Sequence, residues 1–133
     1  MKHYKVVAAV ICHNNRFLCM QKGKTKFDYT SFKFEFPGGK IEPGETPQKA
    51  LKRELMEEMN YAIEVGPELV CVEHTYPDFS ISLEAFLCTA DSPTFLMKEH
   101  IASEWRSKEE LEGLDWAAAD VGIVKAIVAT KSL

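Results

Sequence analysis

Glu54, Glu57 and Glu58 have the types and spacing to do chemistry. At i, i+3 and i+4 they share one face of a helix, about one turn deep. Like charges held that close repel, by about 0.2–0.5 kcal/mol per pair on an isolated helix. Arg53 offsets part of this through Glu57, its i+4 neighbour. Two readings fit the pattern. One is a solvated acidic face, common on surface helices. The other is a site for a hard divalent cation such as Mg²⁺, which accepts carboxylate oxygens, keeps several waters and bridges to phosphates. Lys49 and Lys52 lie one turn earlier rather than interleaved with the acids, which weighs against solubility alone as the reason for the pattern.

The helix that must carry them has both of its ends written in the sequence. Thr46 is a good N-cap, Pro47 falls at the first helical position, and helix formers run on to Met59. Asn60 then suits the left-handed residue that closes a helix. Around this helix the patterns read as strands. Tyr4–Cys12 is β-branched and apolar, His13-Asn14-Asn15 is a turn, and Arg16–Lys22 is a second strand. Gly23–Ser31 reads as a loop. In Phe32–Phe36 three phenylalanines alternate with charges, which predicts a half-buried strand ending at Pro37-Gly38-Gly39. Glu68–Tyr76 and Phe79–Thr89 are predicted strands around a Pro77-Asp78 turn. Asp91–Ser103 reads as irregular, with a short strand at Glu104–Arg106. Ser107-x-x-Glu110 resembles a capping box, and a last helix is expected from Asp120 to Lys131. Strands around a central helix, with a second helix near the end, predict an α/β (α+β) architecture with a mixed sheet between helices.

Composition narrows the function. The 133 residues suit one domain, 1–133, with enough core to fold without staples. The hydrophobic share of 46% and charged share of 27% exclude disordered and collagen-like classes. No apolar run approaches the ~20 residues that cross a bilayer, so no membrane role is expected and a cytoplasmic location is. Sixteen Lys+Arg against twenty Asp+Glu give −4, which argues against a nucleic-acid partner. Cys12, Cys19, Cys71 and Cys88 contain no C-x-x-C pair and read as buried reduced thiols. The four histidines show no zinc-ligand spacing.

Gly39, five residues, Glu45, seven residues, then Arg53-Glu54-Leu55-Met56-Glu57-Glu58 together resemble the signature of the Nudix hydrolases. Phe34–Glu42 and Gly44-Glu45-Thr46-Pro47 are similar to the MutT-like subgroup, as are Lys98-Glu99, Glu104-Trp105 and Trp116–Asp120. The chain departs from the signature at Asn60-Tyr61, where the family expects Gly and an aliphatic residue. Asn tolerates the left-handed conformation, so the loop–helix–loop is expected to survive, with only packing at Tyr61 changed.

The resemblance implies a Nudix fold and a Mg²⁺-dependent hydrolase (Mn²⁺ being a possible substitute) that cleaves nucleoside triphosphates to monophosphate and pyrophosphate. It implies Glu54, Glu57 and Glu58 as metal ligands, with the Gly38 carbonyl and Glu99 joining them. Glu99 or a signature carboxylate would accept the proton. Arg53 would orient the carboxylates and Glu45 would brace the loop. Lys22 falls where the subgroup has a basic residue near the phosphates. Tyr76, Phe79 and Trp116 suit either a base pocket or the core. Asp120 either caps the last helix or reads the base edge. An ionised Asp only accepts hydrogen bonds, so it selects edges that donate, such as those of cytosine and of guanine or 8-oxoguanine. The subgroup's oxidised-guanine enzymes can carry an arginine where this chain has Phe79, which keeps a cytosine-type substrate in competition. A role in cleansing the nucleotide pool follows, as a monomer or homodimer. The alternatives are another nucleoside diphosphate-linked substrate or a nucleotide-binding sensor without catalysis.

Overall fold

A computed structural model describes residues 1–133. Strand β1 (Lys2–His13) is the spine of the architecture. Its run from Val7 to Ile11 is wholly buried, so both of its faces must be covered. Val7, Ala9 and Ile11 pack with Leu51, Leu55 and Met59 of helix α1 (Pro47–Met59). Ala8 and Val10 alternate to the other face and pack with Ile123, Val124 and Ile127 of helix α2 (Ala118–Ala129). The sheet thus lies between two helices, as the sequence patterns predict.

On one edge β1 runs parallel to β6 (Phe79–Thr89), from Lys2↔Phe79 to Ile11↔Cys88. On its other edge it pairs with β4 (Gly38–Lys40) and then, at Cys12 and His13, with β2 (Arg16–Lys22). Asn14 and Asn15 take positive φ of 52° and 62° in that hairpin, the left-handed geometry Asn tolerates. β2 continues the sheet to β3 (Phe34–Glu35) and also pairs with β7 (His100–Arg106), while β5 (Glu64–Thr75) forms an edge beside β6.

Several boundaries differ from the sequence reading. The Phe32–Phe36 strand shrinks to Phe34–Glu35, because Phe32 takes a φ of 61° and stays 52% exposed. Pro37-Gly38-Gly39 does not end the pairing; β4 follows at once, against β1. β5 starts at Glu64, and its register shifts between Val65 and Glu68 absorb Gly66 and Pro67. β7 begins within the expected irregular stretch, held by β2 rather than by local propensity. Cys19 and Cys88 are buried, but Cys12 and Cys71 are exposed, since their strands turn those positions to solvent. α2 starts at Ala118 with Ala117 at its N-cap, so Asp120 is inside the first turn and does not cap the helix. The capping box at Ser107 does form, opening a 3₁₀ helix over Lys108–Gly113.

Candidate functional site

α1 is built as its end signals require. The Thr46 hydroxyl accepts from the Lys49 N–H at 3.2 Å, and Asn60 closes the helix at φ 48°, ψ 40°. Ala50, Leu51, Leu55 and Met59 face the core, which turns Glu54 and Glu58 toward β4 and the neighbouring cavity.

Arg53 organises the carboxylates. Its Nε and Nη2 donate to both oxygens of Glu45, at 2.6 and 2.9 Å, in the bidentate geometry that suits guanidinium. Its Nη1 donates to Glu54 at 3.0 Å and to Glu57 at 3.1 Å, and Nη2 also reaches the Lys40 carbonyl at 3.2 Å. Glu45 in turn accepts from the Glu42 N–H at 2.9 Å, tying the preceding loop to the helix. These bonds, Arg53 foremost, pull the Glu45 carboxyl down to about 2.

A cavity of about 1020 Å³ is lined by Glu54, Glu58, Glu99, Gly38, Gly39, Lys22, Glu35, His100, Tyr76, Phe79 and Asp120, among others. Burial pushes the Glu58 carboxyl well above the ordinary carboxylate range, and Glu54, Glu99 and Glu35 add to the rise. Glu57 is not among the lining residues; its side chain is 61% exposed and held on Arg53. No group of three or more His, Cys, Asp or Glu is drawn together tightly enough to hold an ion in this arrangement. The donor chemistry nevertheless fits a hard divalent cation, because Glu54, Glu58 and Glu99 are carboxylates around one cavity and their crowding raises a carboxyl that a cation would relieve.

The two glycines of β4 serve different neighbours. A Cβ on Gly38 would strike the Val7 carbonyl oxygen, so Gly38 lets β4 approach β1. A Cβ on Gly39 would strike the Glu54 carboxyl, so Gly39 leaves room for that side chain.

Away from α1 the cavity holds a second set of polar groups. Asp120 is only 6% exposed, and its Oδ2 accepts from the Phe36 N–H at 2.9 Å. Its other oxygen makes no hydrogen bond within the chain. Burial raises its carboxyl, and the nearby Glu35 charge adds to the rise. Glu35 bridges Lys22 at 3.4 Å and the His100 ring at 2.8 Å. Tyr76 and Phe79 flank one another with ring centroids 4.9 Å apart. Phe27 stacks on Phe79 at 5.7 Å and Tyr29 on Tyr76 at 5.5 Å, and the Tyr29 hydroxyl donates to Asp78 at 2.7 Å. The loop after β2 is thereby pinned beside the cavity.

Of the residues expected from sequence, the structure brings Gly38, Glu54, Glu58, Glu99, Lys22, Phe79, Tyr76 and Asp120 to one cavity, with Arg53 behind them. Trp116 is absent from the lining: it stacks on Phe36 at 4.6 Å and its indole N–H donates to the Leu111 carbonyl, which places it in the core. Glu35, His100 and the Phe27–Tyr29 pair were missed. A place between phenylalanines and within the MutT-like stretch Phe34–Glu42 was the signal for Glu35, and the other three announce themselves only through pairing.

The profile of the NUDIX domain family matches residues 2–126. The chain is 33% identical over 132 residues to a CTP pyrophosphohydrolase of Escherichia coli (strain K12), covering 99% of this chain and 96% of that one. It is 41% identical over 90 residues to an 8-oxo-dGTP diphosphatase of Proteus vulgaris, covering 66% of this chain and 78% of that one. Among solved structures, the DNA mismatch repair protein MutT of methicillin-resistant Staphylococcus aureus 252 superposes with a TM-score of 0.77 at 38% identity, covering 96% of this chain and 98% of that chain.

Proposed function

Because the chain belongs to the Nudix family and is a hydrolase of its pyrophosphohydrolase kind, we propose that it cleaves cytosine-type or oxidised-guanine nucleoside triphosphates to monophosphate and pyrophosphate, with Mg²⁺. One observation carries the reading: a cavity shared by the carboxylates Glu54, Glu58 and Glu99 and by a buried acceptor, Asp120, between aromatic walls.

Glu54, Glu58 and Glu99 would hold the cation, with Glu57 joining once it leaves Arg53. When bound, the cation neutralises polyphosphate charge and lowers the pKa of a water. Arg53, fixed by Glu45, keeps Glu54 in place through the reaction. Glu99, on the cavity wall, would take the proton of the attacking water. Lys22 offers its ammonium to the phosphates, and Tyr76 and Phe79 offer faces to the base. Asp120, already accepting from Phe36, has one oxygen left for the base edge; its carboxyl holds a proton in the free protein, and a donating edge, by hydrogen-bonding to the charged form, would favour its release so that this oxygen accepts. The charge of −4 and the anionic substrate are reconciled by the cation. The enzyme would work in the cytoplasm on free nucleotides, as a monomer or homodimer.

The test is pyrophosphate release across canonical, oxidised and methylated (d)NTPs, with and without Mg²⁺. Cytosine and 8-oxoguanine triphosphates are expected to exceed UTP and dTTP in kcat/KM by at least about tenfold, because a mismatched edge leaves a buried acceptor unpaired. Asp120→Ala should flatten the ranking. A wild-type enzyme without base preference, or an Asp120→Ala enzyme that keeps it, refutes the assignment.

A further inference from the structure

The segment from Asp91 to Glu99 has no regular structure, yet it delivers Glu99 to the cavity. Its ties to the rest of the chain converge on one place. The Leu96 N–H donates to the Met59 carbonyl at 2.9 Å. The Lys98 ammonium donates to the Glu57 carbonyl at 3.1 Å. The Tyr61 hydroxyl donates to the Ser92 carbonyl at 2.6 Å, and the Phe95 ring lies 5.4 Å from that of Tyr61.

Helix geometry explains the convergence. The last carbonyls of any α-helix lack partners inside it, and they form its negative end. In α1, Asn60 and Tyr61 return their own N–H groups to Met56 and Leu55, leaving Glu57, Glu58 and Met59 open, and the loop reaches the first and last of these. The helix has no basic residue in its last turn, and Lys98 supplies that charge from the loop. Tyr61, 3% exposed, stands where the family signature has an aliphatic side chain, which would have no hydroxyl for Ser92. The turn that carries Glu57 and Glu58 therefore also anchors the segment that carries Glu99.

We propose that Tyr61 is a positioning residue for catalysis: through Ser92 and Phe95 it fixes the 91–99 segment on the end of α1, and so fixes Glu99 relative to Glu58. The inference rests on the catalytic reading of Glu99 given above. Tyr61 touches neither substrate nor cation, and its effect on turnover passes through Glu99 alone.

A double-mutant cycle separates this from a packing role. Tyr61→Phe keeps the ring against Phe95 and removes only the bond to Ser92. It is expected to lower kcat by about three- to tenfold, the range set by one neutral hydrogen bond, with KM changed less than twofold. In a Glu99→Gln background the same substitution is expected to change kcat by less than about 1.5-fold. Amide exchange at Leu96 should accelerate in Tyr61→Phe, a readout independent of activity. Equal losses in both backgrounds, a loss confined to KM, or unchanged Leu96 exchange overturns the positioning role while leaving Glu99 as assigned. A Glu99→Gln enzyme with wild-type kcat overturns the assignment of Glu99, and the positioning role with it.

Discussion

Gly38 and Gly39 are adjacent, and an alanine at each is expected to fail in a different way. Neither has a positive φ, so the outcome turns on space alone. At Gly38 the added Cβ meets backbone: the Val7 carbonyl oxygen, its carbon at 2.8 Å and the Ala8 Cα at 2.9 Å. Backbone in a buried strand has nowhere to move, so β4 must separate from β1 and lose the Val6–Ala8 register. That places Gly38→Ala among the severe substitutions, at about 4 kcal/mol or more, a large part of a typical 5–15 kcal/mol. At Gly39 the three atoms nearest the Cβ all belong to the Glu54 side chain, including its Cγ at 2.8 Å, and a side chain can swing. The swing breaks the 3.0 Å bond from Arg53 to Glu54, while Arg53 keeps both bonds to Glu45. One charged hydrogen bond of this kind is worth about 1.5–3 kcal/mol when its partner is stranded, and less here because Arg53 remains paired. A stability loss of about 1–2 kcal/mol follows, or roughly 3–8 °C in Tm. Activity should suffer far more, since a displacement of about 1 Å in a positioned group costs on the order of 10²-fold. Thermal melts and pyrophosphate release on both variants are the assay. A Gly39→Ala enzyme with kcat within threefold of wild type, or a Gly38→Ala protein as stable as wild type, refutes the reasoning.

Glu58 lines the cavity and Glu57 does not, so Glu58→Gln should lower kcat at least about tenfold more than Glu57→Gln, and it should remove the rise in Tm expected when Mg²⁺ is added to the wild type; the reverse order would refute the placement. Asp120 has a raised carboxyl, so the fold keeps a proton that the unfolded chain releases above about 4, and stability falls as pH rises from there. Asp120→Asn does not titrate and still accepts from Phe36; its Tm relative to wild type should climb between pH 5 and pH 8, and a pH-independent difference counts against the burial argument. Glu45 is shifted the other way, down to about 2, so its contribution is full above about 4.5 and fades as pH falls toward 2. Acid melts should therefore show wild type and Glu45→Gln converging over that window, and parallel curves would contradict the Arg53–Glu45 bond.

What the sequence made legible was what depends on near neighbours. Thr46, Pro47 and Asn60 marked both ends of α1, because capping is a matter of residues within one turn. The carboxylate face and the pairing of Arg53 with Glu57, its i+4 neighbour, were readable for the same reason. The first half of strand β7 was not, since its pairing with β2 joins residues some 80 positions apart and nothing local in His100–Ser103 requires it, whereas Glu104–Arg106 reads as a short strand. The start of α2 was misplaced because Asp120 looks like a cap, whereas its carboxylate is used across the core by Phe36. The sequence fits Trp116 equally to pocket and core, and its stacking on Phe36 decides for the core. The exposure of Cys12 and Cys71 depends on which face of each strand meets a helix, which composition does not reveal.

Strand β1 has a kinetic consequence. Its parallel partner β6 lies far along the chain: His3 and Ser80, neighbours in register, are 77 positions apart. Closing that span precedes any reward from pairing, so folding belongs in the slower millisecond-to-second class typical of non-local sheets. Until β6 arrives, the apolar segment Val6–Ile11 has an open edge with high β-propensity and no charge. A substitution that delays β6 would show first as aggregation during synthesis or refolding, before any loss appears in the activity of the molecules that fold.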